Sequence, residues 1–286
     1  MTIPENLTDL RADPVTASWG DREVMLYALG IGMGDDPMDD NELAFVNEGW
    51  ITPREPALKV VPTFASVATW NARPPALDLN RVMVVDAQRD ITFHKPLPVS
   101  ATVTADSRWL GAWDKGDKGA ILVRETEVRD EAGDLLYTLQ GTTFARGDGN
   151  FGGPASGQPE TPGVPDRAPD LSVDIVTRPG QALLYRLSGD RNPLHSDPEF
   201  AAKAGFKAPI LHGMCTYGLT CRAVLSTFAD WDPSAIKRHA CRFSSPVYPG
   251  ETVTVDLWRE GNIVQFEARI AERGVTCVKN GLTELK

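Results

Sequence analysis

The chain has 286 residues, of which 42% are apolar and 24% charged, a composition that excludes a wholly disordered polymer and leaves room for one large domain or two ordinary ones. A net charge of −10, from 29 basic and 39 acidic residues, argues against broad nucleic-acid or anionic-membrane binding but leaves open a local basic cleft for a phosphorylated small molecule. No run approaches the roughly 20 apolar residues of a membrane span, and Met1–Pro14 lacks the basic-then-apolar layout of a secretory leader.

Along the chain, threonine, valine and aromatic residues alternating with polar ones predict strands over Val103–Trp109, Gly119–Val128 and Leu135–Phe144, with GDKG and DEAGD as turns. Gly147–Asp170 follows, dense in Gly, Pro and Asp, and reads as a surface linker. It separates a first unit, 1–146, from a second, 171–286. In the second unit the apolar run Met214–Phe228 predicts a buried helix. Strands are expected over Glu251–Trp258, Ile263–Ala271 and Val275–Leu285. A mostly apolar helical run also precedes the first meander. Buried helices with antiparallel sheets imply an α+β architecture in which each sheet wraps around a long helix.

The two units look like copies. DREVMLYALGIG (Asp21–Gly32) matches PGQALLYRLSGD (Pro179–Asp190), placing Tyr27 opposite Tyr185. Val61–Phe64 matches Ala208–Leu211. ITFHKPLPVSATVT (Ile91–Thr104) matches CRFSSPVYPGETVT (Cys241–Thr254). The offsets drift slightly but keep their order, as a duplication with altered loops would.

The most informative stretch is Tyr185–Gly218, centred on Ser188-Gly189-Asp190-Arg191-Asn192-Pro193-Leu194-His195. Gly189 and Pro193 disfavour a regular helix, and Asn192-Pro193 favours a turn that can bring Asp190 and His195 together. Ser196-Asp197-Pro198-Glu199 reads as a helix start with Ser196 as cap. This segment resembles the hydratase 2 motif of the MaoC-like, hot-dog-fold family. Pro209-Ile210-Leu211-His212-Gly213 resembles a second signature of that family, as does Phe243–Glu251. The first unit resembles the degenerate N-terminal repeat of two-domain members.

The resemblance implies a double hot-dog, (R)-specific enoyl-CoA hydratase that adds water across a trans-2-enoyl-CoA. It implies Asp190 and His195 as the catalytic dyad, Asn192 as an active-site asparagine and the Gly213 amide as oxyanion donor. The first unit has Gly32 opposite Asp190 and Ser66 opposite Gly213, and no histidine in Gly32–Trp50. It therefore lacks the dyad. In two-domain relatives this implies a widened acyl pocket.

The resemblance implies an acyl-CoA substrate, and no metal or redox cofactor is expected. Lys95, Lys207 and Arg242, with Lys203 and Arg222 behind them, are the candidate contacts for CoA phosphates. His212 reads as structural, packed beneath the helix start. The acid cluster Asp35–Asp40 fits no calcium-loop spacing. Cys215, Cys221, Cys241 and Cys277 form no C-x-x-C, so a disulfide framework is not expected. The cytoplasm is the expected compartment and a homodimer the expected assembly. The rival readings are an acyl-CoA thioesterase and a non-catalytic acyl-CoA-binding subunit.

Overall fold

Ile263–Ile270 reads IVQFEARI, and every second side chain in it is buried. Such alternation marks a strand with one face on a core. The computed structural model describes residues 3–49, 57–80 and 83–286. Its first half contributes β1 (Val15–Trp19), β2 (Val84–Phe93), β3 (Ala101–Asp114), β4 (Ala120–Arg129) and β5 (Leu135–Ala145). The second contributes β6 (Leu171–Val176), β7 (Ile236–Phe243), β8 (Thr252–Glu260), β9 (Ile263–Ile270) and β10 (Val275–Leu285).

All ten form one antiparallel sheet in the order β1-β3-β4-β5-β2-β7-β10-β9-β8-β6. The order 1-3-4-5-2 is repeated, mirrored, as 7-10-9-8-6. The seam is β2 against β7, with Gln88 opposite Arg242, Arg89 opposite Cys241 and Ile91 opposite His239. The architecture is a double hot-dog.

The helices are α1 (Asp21–Gly30), α2 (Asp40–Leu43), α3 (Ala65–Ala68), α4 (Gln181–Tyr185), α5 (Pro198–Lys203) and α6 (Gly213–Thr227). The long helix α6 begins one residue before its expected start, and every residue from Met214 to Cys221 is buried. It meets the end of α1 closely: a Cβ on Gly218 would stand 2.5 Å from Ile31 Cγ2. Only glycine fits that approach. The Tyr217 hydroxyl donates to the His239 carbonyl at 2.5 Å, tying α6 to β7.

Two expectations need correction. The first-half helix is a single turn, α3, because Thr69 leaves the helical region (φ −119°, ψ 41°) and Pro74-Pro75 follow too soon for it to resume. The cap of α5 is Asp197, not Ser196: its side chain accepts from the amides of Glu199 and Phe200. Aspartate competes well for that role, and Pro198 at the first helical position fixes the entry. All four cysteines are free and buried. Among the described residues, no helix is long and apolar enough to cross a membrane.

Candidate active site

The site grows from the end of α4. A 3-10 turn over Arg186–Ser188 continues it, and Gly189 then turns the chain at φ 135°, a conformation that side-chain-bearing residues avoid. Gly189 also lies against Trp70, whose Cγ would be 3.4 Å from a Cβ there. Asp190 Oδ1 accepts from the Asn192 amide at 3.0 Å, and Asn192 Oδ1 accepts from the Leu194 amide at 3.0 Å. Asn192 thus caps a second 3-10 turn, Pro193–His195. Its amide holds Asp190 while its side chain holds the turn that carries His195.

Backbone bonds dock this loop on the other two conspicuous segments. The Ile210 amide donates to Leu194 O, and the Leu211 amide to Val247 O. His195 Nδ1 lies 2.8 Å from Ile210 O. A carbonyl only accepts, so Nδ1 carries the proton and Nε2 is left with its lone pair. Nε2 faces Asp190 Oδ2 at 3.9 Å, which is too long for a hydrogen bond and suits one oxygen between them. His195 is only 8% exposed, and burial pushes its pKa below the ordinary imidazole value despite the Ile210 carbonyl and Asp190. The ring is therefore neutral near pH 7, the form that can accept a proton.

His212, expected to pack beneath the helix start, is buried at the N-cap of α6 and packs against the site residues. Its Nε2 donates to the Asp190 carbonyl at 3.1 Å, and its ring stacks on His195 at 3.7 Å and 26°. Burial, then the neighbouring His195, pushes its pKa down to about 3. Stacking two imidazoles is acceptable because both stay uncharged. Tyr185 closes the far side, 4.9 Å from the His212 ring. Sequence signals were thin here: a histidine one residue before a buried helix is commonplace.

Asp190, His195 and His212 each bring one ligand-type atom within 4.8 Å of the others. A metal ion needs the in-plane lone pairs of both imidazoles to converge. Rings lying face to face aim those lone pairs side by side, so the cluster suits proton transfer better than coordination.

The tip of α6 adjoins this loop, with His212 as its N-cap. The amides of Cys215 and Thr216 both donate to His212 O. Those of Gly213 and Met214 have no acceptor among the described residues, as expected of a helix start. They sit at the positive end of the helix dipole. The space beside Gly213 is ordinary: a Cβ would be 3.6 Å from the Phe243 ring.

The proposed CoA contacts fare unevenly. Lys207 is exposed on the loop leading to Ile210, its ammonium 4.5 Å from the centre of the Tyr248 ring. Arg242 is exposed on β7, and Lys203 is exposed at the end of α5. Lys95 is held at 2.7 Å by both Asp130 and Asp134 on the β4–β5 turn. Those carboxylates already answer its charge. Arg222 is not available to a ligand phosphate: it lies in an ion pair with the buried Glu42, Nε donating at 2.8 Å.

Residues 160–280 match the family model described as MaoC like domain, and residues 18–147 match that of the MFE-2 hydratase 2 N-terminal domain. The chain is 44% identical over 255 residues to the enoyl-CoA hydratase ChsH3 of Mycobacterium tuberculosis, covering 87% of this chain and 86% of that one. The chain belongs to the MaoC-like hydratase 2 family. It is also 39% identical over 275 residues to the peroxisomal enoyl-CoA hydratase 2 of Arabidopsis thaliana, covering 91% and 88% of the two chains. A MaoC-like dehydratase from Phytophthora capsici superposes with a TM-score of 0.88 at 30% identity, over 99% of both chains.

Proposed function

We propose that this hydratase 2 family member adds water reversibly across trans-2-enoyl-CoA thioesters, giving (R)-3-hydroxyacyl-CoA. The observation that carries the reading is the 3.9 Å gap between His195 Nε2 and Asp190 Oδ2, with Nδ1–H already committed to Ile210 O. A water in that gap donates one hydrogen to the carboxylate and one to the imidazole. One hydrogen passes to the pair as the oxygen attacks C3, the other stays on that oxygen as the new hydroxyl, and the pair returns a single proton to C2 from the same face. Asp190 and His195 act as one unit, so the proton belongs to the pair.

Charge developing on the thioester oxygen meets the unpaired Gly213 amide at the tip of α6. A preorganised donor of this kind lowers a barrier by about 3 kcal/mol. Asn192 and His212 are positioning residues, one holding the turn and the other holding the Asp190 backbone. No step calls on a metal or a redox cofactor. We assign the acyl group to the first half, where α3 is one turn long and α6 has no counterpart of its length. Long or bulky acyl groups follow from that assignment. A homodimer in a reducing cytoplasm is part of the proposal; the four free, buried thiols suit a reducing compartment.

The test is the loss of enoyl-thioester absorbance with a panel of enoyl-CoAs of graded length and bulk, followed by chiral assignment of the product. An (R)-3-hydroxyacyl-CoA supports the reading. An (S)-product, or thiol release from a saturated acyl-CoA without hydration, overturns it.

A further inference from the structure

Trp109, Arg124, Gly141 and Arg89 form one rung across β3, β4, β5 and β2. Gly141 lies in register between the two arginines. A Cβ there would stand 3.0 Å from Arg89 Nη1 and 3.1 Å from Arg124 Cζ, so both guanidiniums lie over the glycine. The same face of β5 carries Tyr137, whose hydroxyl meets Thr69 Oγ1 at the end of α3, 3.3 Å away. The rung therefore lies on the inner face of the first-half sheet, beneath the shortened helix.

The coil leaving α3 adds a third guanidinium. Arg73 stacks on the Trp70 ring at 4.6 Å, and its Nε donates to Trp70 O at 3.0 Å. Trp70 in turn packs on Gly189, beside Asp190. A line of contact runs from the catalytic loop through Trp70 to Arg73.

Two carboxylates act on this group, Asp86 and, more weakly on Arg73, Asp190. Asp86 pairs with Arg89 at 2.5 Å, while Arg124 has no hydrogen bond or ion pair among the described residues. Burial, then repulsion from Arg89, pushes the Arg124 pKa down to about 9. Arg73 is lowered by the same two causes. Arg89 is buried, Arg124 half-buried and Arg73 exposed; setting the unpaired Arg124 beside a second guanidinium over Gly141 is costly, and such violations mark places kept for a ligand. The second half shows the apolar alternative. Gly281 holds the same place in β10 that Gly141 holds in β5, but it faces Phe266, whose Cδ2 would be 2.2 Å from a Cβ. That ring stacks on His239 at 5.0 Å. One glycine admits a phenyl ring; its counterpart admits two guanidiniums.

We infer that Arg73, Arg89 and Arg124 form an anion subsite for a carboxylate or phosphate group carried by the substrate. Guanidinium forks match both groups in bidentate geometry. The inner-face position, where the acyl group is assigned, favours a carboxylate far along the acyl chain; a CoA phosphate is the other source. The inference rests on the hydratase reading for the placing of the thioester.

The test is calorimetric binding to the full chain, comparing wild type with Arg124→Met and Arg89→Gln. The ligands are a saturated acyl-CoA, its ω-carboxy counterpart of equal length, and the acyl-pantetheine that lacks the nucleotide phosphates. Wild type is expected to bind the ω-carboxy ester roughly tenfold more tightly than the plain ester, and Arg124→Met to erase that ratio. If the anion is a CoA phosphate, the variants weaken both CoA esters alike and leave the pantetheine ester unmoved, which also supports the subsite. Equal affinities in wild type and both variants for every ligand overturn it. Saturated thioesters cannot be hydrated, so this result is independent of whether the chain turns over any enoyl-CoA. Arg124→Met removes a charge that has no partner, so its thermal unfolding midpoint is expected to hold. It carries the test even if Arg89→Gln, which strands Asp86, fails to fold.

Discussion

The second half of the sheet cradles a helix of four turns, and the first half cradles a helix of one. In the second, α6 starts at Gly213 beside Asp190, His195 and His212, with two amides at its tip that have no acceptor among the described residues. In the first, Ser66 occupies the place of Gly213, and its hydroxyl donates inward to Thr63 O at 2.7 Å. The segment after α1 carries Glu42, in the short helix α2, in place of a dyad. That carboxylate is 5% exposed and accepts from the Gly34 amide and from Arg222 of α6. The difference teaches that a shared strand order fixes where a helix tip and a loop meet, but not what they do there. One meeting point holds groups able to move a proton; the other staples the halves together.

Substitutions on the second side should therefore cost chemistry. His195→Gln keeps a ring-sized polar side chain but loses the lone pair at Nε2. Steady-state kinetics should show kcat/KM for an enoyl-CoA falling roughly 10³-fold, with an unchanged unfolding midpoint. Asp190→Asn should fall by a similar factor. Full activity in either variant would sink the dyad. Gly213→Ala comes next. The protein has room for the methyl against Phe243, so folding should survive, while the thioester loses its close approach to the amide. A fall of about 100-fold in kcat is expected from the loss of one oxyanion donor; a rise in KM alone would point to simple crowding.

On the first side the same kind of change should cost stability. Glu42→Gln leaves the Arg222 guanidinium buried opposite a neutral amide. Breaking a buried pair costs about 3 kcal/mol, read from the midpoint of denaturant unfolding, while kcat stays near wild type. A large fall in kcat with normal stability would move Glu42 into the active site and erase the contrast between the halves.

Acid should discriminate less sharply between the halves. His212 and His239 are both held near a pKa of about 3 by burial, against an ordinary value of 6.5. Below pH 6.5 the unfolded chain takes up protons that the folded chain refuses, so stability is full above 6.5 and declines as the pH falls from there toward 3. Unfolding midpoints measured at intervals between pH 7 and pH 4 should follow that slope. Because burial also depresses His195, the acid limb of kcat/KM should lie below the ordinary imidazole range. An acid limb at or above 6.5 would mean that His195 is not buried neutral.

Much of this contrast was readable in the sequence. Strand alternation located both meanders, and the Asp190–His195 segment announced its turn through Gly189 and Asn192-Pro193. The shortness of α3 was harder to see, because Val61–Trp70 is as apolar as a buried helix and the breaks come from Thr69 and the prolines that follow. Ser196 and Asp197 are both good caps, and only the backbone geometry chose between them. The arginine rung was hidden most deeply. Arg124 lies in RETEVR, which reads as a solvated strand face, and only the register across Gly141 turns it inward beside Arg89.

The smallest effect is expected at Ser66, and it sharpens the comparison most directly because Ser66 is the counterpart of Gly213. Ser66→Ala removes one buried hydroxyl that donates to Thr63 O and leaves that carbonyl short of a partner. Such a loss costs about 1 kcal/mol, seen as a small drop in the denaturant midpoint. No amide in α3 is proposed to meet the thioester, so kcat and KM should match wild type. Were Ser66→Ala to lower kcat as Gly213→Ala does, the two helix tips would share the work, and the division between a chemical half and a structural half would fail.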